Sequence, residues 1–228
     1  MRLLHLYPNL MNLYGDYGNI VVLKRHLEDL GLEVEVDTRE TDDIISFDRY
    51  DFVYIGSGTE DNQLVALKDL RHFEKKLKAY IESGKPMLLT GNAIELLGKS
   101  INDTEGLGIL DFTVEVTDRR YSGDVIVHND EIGDVVGFIN KSSLITGGED
   151  NKLFDYEFKD NNLNDNNYEG CRYSNVFGTH IIGPVLVKNP CFMNHIVKML
   201  AGNRYKEIDY PFEKEAYDVT LHELRKRK

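Results

Sequence analysis

A turn between an apolar strand and a helix-like segment occupies the position at which many hydrolases hold a nucleophile. Residues 86–89 are apolar, Thr90, Gly91 and Asn92 follow, and helical spacing begins at Ile94. A strand that turns abruptly into a helix lifts one residue above the sheet against the helix N-terminus, where serine or cysteine can attack a carbonyl. This turn contains neither residue type. The sequence therefore predicts the scaffold of a nucleophilic site without an obvious nucleophile.

Strands and helices alternate along the part of the chain that must position this turn. Four runs are predicted as strands: residues 2–7, 32–37, 50–55 and 86–89. Apolar residues spaced by three and four predict a helix after Asn19 and one long helix over residues 67–80. This alternation is typical of an α/β fold with a central, mostly parallel sheet and helices on both faces. Functional groups of such sheets lie at the carboxyl ends of the strands, which here are loops 8–19, 56–63 and 90–93.

The second half of the chain has shorter β-like runs separated by turns. These runs are residues 109–116, 124–128, 135–139 and 173–184. Residues 154–169 are acidic and rich in asparagine, which predicts an exposed loop or hairpin. Asn189 and Pro190 are expected to be the N-cap and the first residue of a further helix. Residues 204–228 are polar and are predicted to form a solvated helical tail.

Composition excludes several classes of function. The chain has 228 residues, 27 Lys and Arg against 39 Asp and Glu, and a net charge of -12, which would repel a nucleic-acid backbone. No run approaches the roughly 18 apolar residues of a membrane span, and the N-terminus does not resemble a signal peptide, so we expect a cytoplasmic protein. Cys171 and Cys191 show no metal-ligand spacing. We expect two buried or half-buried thiols, no metal and no cofactor.

Four segments, taken in chain order, resemble one protein family. They are Tyr14-Gly-Asp-Tyr-Gly-Asn19, Gly56-Ser-Gly-Thr-Glu-Asp-Asn-Gln63, Gly137-Phe-Ile-Asn-Lys141 and Arg172-Tyr-Ser-Asn-Val-Phe-Gly-Thr-His-Ile-Ile-Gly-Pro184. Together they resemble the class I (triad) glutamine amidotransferases of the cobyric acid synthase branch, above all its small glutaminase subunits. In those subunits the third segment reads Gly-Phe-Glu-Asn-His, and the fourth reads Arg-Tyr-Gly-Asn-Val-Ile-Gly-Thr-Tyr-Leu-His-Gly-Pro. The resemblance covers about residues 1–203 and implies a flavodoxin-like amidotransferase domain followed by a polar tail at 204–228.

The register of this resemblance places both reactive positions on residues that cannot react. Active members read Cys-Gly-Gly-Tyr-Gln-Leu-Leu-Gly at the turn, which aligns their cysteine with Gly91 and leaves no side chain there. Their histidine aligns with Ile182, and His180 stands two residues earlier, where the family has tyrosine. Thr90 ends the strand, so its hydroxyl is expected inside the sheet.

The same resemblance implies roles for the residues around the turn. Asp16 matches an acidic position near the active centre, although an Asx turn or helix cap would also explain it. Oxyanion or ligand binding is implied for four further residues: Gly56, Gly58, Asn92 and Gln63.

Three functions follow from these residues. Loss of triad members costs about 10⁴ to 10⁶ in rate, which favours a subunit that no longer hydrolyses glutamine. The implied partner is a Mur-ligase-like, ATP-dependent amidoligase acting on a cell-wall precursor. The first alternative is an active glutaminase or related amidase with a rearranged site that uses His180 and an unrecognised nucleophile. The second is a module that binds glutamine or another amino acid without turnover.

Overall fold

The computed structural model describes residues 1–164 and 166–228. Its strands are β1 (Arg2–Leu6), β2 (Glu35–Arg39), β3 (Phe52–Ile55), β4 (Met87–Thr90), β5 (Ser100–Ile101), β6 (Thr104–Glu105), β7 (Phe112–Asn129), β8 (Gly133–Gly147), β9 (Lys152–Lys159), β10 (Tyr168–Tyr173), β11 (Val176–Thr179) and β12 (Ile181–Ile182). Its α-helices are α1 (Gly18–Asp29), α2 (Glu60–Arg71), α3 (Glu74–Glu82), α4 (Val185–Lys188), α5 (Pro190–Ala201) and α6 (Pro211–Arg225). These strands join in one sheet.

The parallel half of the sheet has the order β11-β4-β3-β1-β2. β2 lies at the edge as predicted, but it begins at Glu35 and not at residue 32. Successive side chains of β1 enter cores on opposite faces: Leu3 packs in the core that includes α1 and α5, and Leu4 in the core that includes α2 and α3. Both faces are therefore covered, and the α/β prediction is confirmed.

The antiparallel half extends this sheet through β10, β9, β7, β8 and β12. The separate runs predicted at 109–116 and 124–128 are wrong as boundaries, because both enter the single long strand β7. Its pairing with β8 shifts register between Val116 and Tyr121, where exposed polar residues interrupt the apolar pattern without ending the ladder.

The segment 154–169 is a hairpin, one of the two forms predicted, but it is not exposed throughout. Strands β9 and β10 pair antiparallel, and Phe154 and Glu169 at the ends of the segment are buried. Residue 165 lies outside the described part of the chain. Burial of Phe154 against Phe192 supplies an apolar contact that the acidic composition of the segment concealed.

Two predicted helices differ from the structure. The long helix at 67–80 is divided at His72 and Phe73, whose amides donate to the carbonyls of Asp69 and Leu70 three residues earlier, so the last turn of α2 tightens and ends. The apolar period continues across the break because both helices pack in one core. The segment after the β4 turn is a 3₁₀ helix, Gly91–Leu97, in which every residue except Asn92 is buried, so it has no solvent-facing side.

Two predictions near the C-terminus are also corrected. The Asn189 side chain does not cap α5; it accepts from the amide of Val136 and donates to the carbonyls of Val136 and Val185. The polar tail is helical but not free, because Leu224 of α6 is buried and Arg225 contacts two carboxylates of the sheet. Within the two described ranges, no helix combines the length and the apolar character needed to cross a bilayer.

Candidate functional site

The three loops expected to meet at the carboxyl ends of the parallel strands do so, around a cleft of about 190 Å³. The loop after β1 contributes Tyr14, the loop after β3 contributes Ser57 and Gly58, and the turn after β4 contributes Gly91 and Asn92. A wider depression of about 860 Å³ lies at the opposite, amino-terminal end of these strands and contains no predicted site residue. The 190 Å³ cleft is therefore the candidate site.

Gly91 occupies the strained position of the turn and has no room for a side chain. Its φ is +58°, a backbone conformation that L side chains rarely adopt and that suits a strand-to-helix elbow. A Cβ built on Gly91 would overlap the Cβ of Ser57 and lie 3.3 Å from the Ser57 Cα. The elbow is thus retained, while Ser57 fills the space above it.

Ile182 lies beside Gly91, so the two positions that the resemblance assigns to cysteine and histidine are neighbours in space. The Cγ2 of Ile182 would be 3.3 Å from a Cβ at position 91. Ile182 also lines the cleft. Neither position provides a group that can accept or donate a proton.

One of the backbone amides expected to bind an oxyanion, that of Gly58, already has a partner. The N–H of Gly58 donates to the side-chain oxygen of Asn92 at 2.9 Å. Gly56 and Gly58 are glycines for a packing reason, because a Cβ on either would overlap an atom of Met11 in the first loop. Their lack of side chains follows from close loop packing and needs no ligand to explain it.

Asp16 joins the three loops from below the cleft. Its buried carboxylate accepts from the Ser57 amide at 2.9 Å, the Ser57 hydroxyl at 2.7 Å and the Thr90 hydroxyl at 2.8 Å. The amide of Gly183, next to Ile182, donates to it at 3.3 Å. A carboxylate with so many donors is well solvated by the protein. Asp16 is therefore a structural centre as well as a group near the site.

Two predicted side chains lie away from the cleft. His180 is buried between Glu95 and Glu169, with ring nitrogens 3.5 Å from a carboxylate oxygen of each. Gln63 donates to the carbonyl of Asn92 at 2.6 Å and to Glu95 at 2.8 Å. Burial alone would raise the pKa of Glu95, but His180, Ser143 and Gln63 together hold that pKa below its ordinary value. His180 and Gln63 belong to a buried network behind the elbow.

Thr90, Cys171 and Cys191 are poorly suited to act as nucleophiles in place of a residue at the elbow. Thr90 is fully buried and its hydroxyl donates to Asp16, as expected for a residue inside the sheet. Cys171 is buried on β10 and Cys191 half-buried on α5. Burial, with the charge of Glu169, raises the pKa of Cys171, and burial raises the pKa of Cys191 to about 11. Both thiols are therefore poor nucleophiles at neutral pH.

Sequence reasoning missed the polar rim of the cleft. Arg120 donates to Asn140 at 3.3 Å and lies 3.6 Å from Glu60, while Asn140 donates to the Tyr14 hydroxyl at 3.2 Å. Arg120 belongs to the irregular part of β7, where no local pattern indicates which way its side chain points. Glu60 was not assigned to the site because its position in the first turn of α2, near the positive end of the helix dipole, already explains a carboxylate there.

The chain belongs to the CobB/CobQ-like glutamine amidotransferase domain family, which matches residues 2–190. It is similar to the GatD subunit of lipid II isoglutaminyl synthase (glutamine-hydrolyzing) of Staphylococcus aureus, with 31% identity covering 100% of this chain and 98% of the relative. The subunit of the same name from Streptococcus pneumoniae is also 31% identical, covering 92% and 85% of the two chains. The resemblance of the sequence motifs is thereby confirmed.

Solved structures support the same fold. The structure of PurLQS from Thermotoga maritima matches with a TM-score of 0.60 at 17% identity, covering 90% of this chain and 99% of that one. A glutamine amidotransferase from the same organism matches with a TM-score of 0.54 at 10% identity, covering 99% and 92%. The arrangement of strands and helices is therefore that of a class I glutamine amidotransferase.

Proposed function

We propose that this protein is a GatD-type subunit that no longer hydrolyses glutamine and acts by binding an amidoligase. The proposed partner is a Mur-ligase-like, ATP-dependent enzyme that amidates a cell-wall precursor and takes ammonia from solution. The proposal assigns Gly91 to the vacated nucleophile position and Ile182 to the vacated histidine position.

The observation that carries the proposal is the contact between Ser57 and Gly91. Glutamine hydrolysis by this family needs a nucleophile, a proton carrier and oxyanion donors in one place. Here the nucleophile position is packed by Ser57, the proton-carrier position is aliphatic, and the Gly58 amide is bonded to Asn92. Two contacts and one aliphatic side chain thus each oppose one requirement of the reaction.

The relatives support the subunit role. Both are named as subunits of a lipid II isoglutaminyl synthase, and the S. aureus subunit aligns with this chain over its whole length. We extend that association to this chain, because the fold that a ligase would contact is retained while the reactive side chains are missing. In this view residues 1–203 are the amidotransferase-like domain and α6 is an addition packed on it.

Glutamate release from glutamine tests the loss of hydrolysis. The purified chain, alone and with the Mur-ligase-like protein of the same genome, is incubated with glutamine beside the S. aureus synthase as a positive control. We expect no glutamate above the blank, since triad loss costs about 10⁴ to 10⁶ in rate. Release within about a hundredfold of the control would contradict the proposal.

The partner role is tested separately with the same preparations. We expect the two proteins to co-purify and the complex to amidate its precursor with ammonium chloride but not with glutamine. Failure to co-purify, or a ligase equally stable and active without this chain, would overturn the partner role. The outcome of this partner test does not depend on the outcome of the glutamate measurement.

A second candidate, amino-acid binding without turnover, is favoured by the opposite charges on the cleft rim. Arg120 and Glu60 are both partly exposed and line the cleft, which suits a ligand with one carboxylate and one ammonium group. Calorimetry with glutamine and glutamate tests it. Heat that Arg120→Ala abolishes would support binding, and no heat at millimolar ligand would remove this candidate.

A further inference from the structure

Three positions at which the chain departs from the family motifs converge on one buried cluster. Glu95, Lys141 and His180 stand where the motifs have glutamine, histidine and tyrosine. They come from the 3₁₀ helix after β4, from β8, and from the residue between β11 and β12. Glu169 of β10 completes the cluster. The cluster, defined by these four residues, contains two acids and two bases.

His180 is the centre of the cluster. It is 4% exposed, with Nε2 3.5 Å from Glu95 Oε1 and Nδ1 3.5 Å from Glu169 Oε1. Its backbone amide donates to Glu169 at 2.6 Å, and the hydroxyl of Thr179 donates to the same carboxylate at 2.7 Å. Lys141 lines a small cavity with His180 and Glu169, and burial lowers the pKa of Lys141 against the opposing pull of Glu95 and Glu169.

A chain of hydrogen bonds leads from this cluster to the floor of the cleft. The carboxylate of Glu95 accepts from the Ser143 hydroxyl and from the Gln63 amide. The same Gln63 nitrogen donates to the backbone carbonyl of Asn92 at 2.6 Å. The side chain of Asn92 in turn accepts the Gly58 N–H at 2.9 Å. The residue that covers the Gly58 amide is therefore held from behind by Gln63 and Glu95.

We propose that the Glu95–His180 pair is a clasp that holds Asn92 against Gly58 and so keeps the cleft closed at the oxyanion position. Glu95 and His180 are positioning residues, since neither touches the cleft. The inference deepens the proposed function and rests on it for the identity of the oxyanion position. It adds a physical cause: the closed state is maintained by a buried acid and a buried imidazole that are absent from the family motifs.

Burial and the 3.5 Å contact make the two residues interdependent. A buried carboxylate that loses its polar neighbour keeps its desolvation cost without the compensating contact, and the same holds for a buried imidazole. Replacing both at once removes the cost and the contact together. A clasp thus predicts two harmful single substitutions and a milder double substitution.

Amide hydrogen exchange at Gly58 tests the clasp in the full chain. We compare Glu95→Gln, His180→Gln and the double variant, which alter charge with little change in size. We expect each single variant to speed exchange at Gly58 about tenfold or more relative to the amides of β4, which report global opening. The double variant should recover most of the protection.

The control is Tyr80→Phe, which removes the buried hydrogen bond from the Tyr80 hydroxyl to the Pro86 carbonyl at the far end of β4. It should lower the urea midpoint without faster exchange at Gly58 relative to β4. Asn92→Gly should speed that exchange in any background, because it removes the acceptor. Single variants that lose stability but keep Gly58 protected, or additive effects in the double variant, would overturn the clasp. None of these outcomes depends on glutamate release.

Discussion

Ser57 packs against Gly91 so closely that the elbow cannot accept any side chain without movement of the loop after β3. Ser57 is itself held there, since its amide and hydroxyl both donate to the buried carboxylate of Asp16. The position that the sequence resemblance assigns to the nucleophile is thus occupied by a neighbouring loop.

Gly91→Cys is expected to destabilise the protein without creating a glutaminase. The new Cβ meets Ser57, and φ of +58° disfavours a side chain, so the free energy of unfolding should fall by about 2 kcal/mol or more in urea titrations. Gly31→Ala is the matched control, because Gly31 has φ of +77° with nothing near a Cβ, and should cost about 1 kcal/mol. Adding Ser57→Gly should recover part of the Gly91→Cys loss; no recovery would contradict the packing argument.

Asp16→Asn is expected to lower the free energy of unfolding by about 2–4 kcal/mol. The substitution replaces one carboxylate oxygen by an NH₂ group, so some of the donors from Ser57, Thr90 and Gly183 lose their acceptor and face another donor. Urea unfolding measures the effect. Exposed Asp61→Asn, in the first turn of α2, should change stability by less than about 0.5 kcal/mol. Equal effects of the two substitutions would contradict the conclusion that the Asp16 carboxylate holds the loops together.

Stability is expected to fall between pH 6.5 and pH 4 because of His5. Burial on β1 lowers the pKa of His5 from 6.5 to about 4. Between pH 6.5 and pH 4, His5 is therefore protonated in the unfolded chain and neutral in the folded chain. The contribution of neutral His5 to the free energy of unfolding is fully present above pH 6.5. It is lost as the pH falls toward 4, and the total loss is about 3 kcal/mol. Unfolding free energies at pH 7 and pH 4.5 should differ less in His5→Phe than in the wild type. Exposed His72→Gln should keep the wild-type difference.

Leu224→Ala is expected to loosen α6. Leu224 is 7% exposed and packs with Ile126 and Val136, so truncation should cost about 2–3 kcal/mol locally. Faster proteolytic cleavage within α6 measures this. Val219 on the same helix is 58% exposed, and Val219→Ala is the matched control with little expected effect. Cleavage rates that do not distinguish the two variants would show that α6 is not held by its apolar face.

The sequence by itself determined the alternation of strands and helices and the sharp turn at Gly91, and its resemblance to the family predicts that Ile182 stands at the histidine position. These features depend on local periodicity and on motif order, which are readable along the chain. It did not determine that Ser57 fills the elbow, that Asn92 covers the Gly58 amide, or that α6 docks on the sheet.

Those features were decided by tertiary structure, because each joins residues that are far apart in the chain. The local sequence pattern around a residue does not indicate which distant residue it will contact. Glu95 and His180 illustrate the difference. Each alone is a polar residue in an apolar stretch, and only the pairing of β11 with β4 brings the two together. Burial then makes each side chain depend on the other for polar contact, and this dependence exists only in the folded chain.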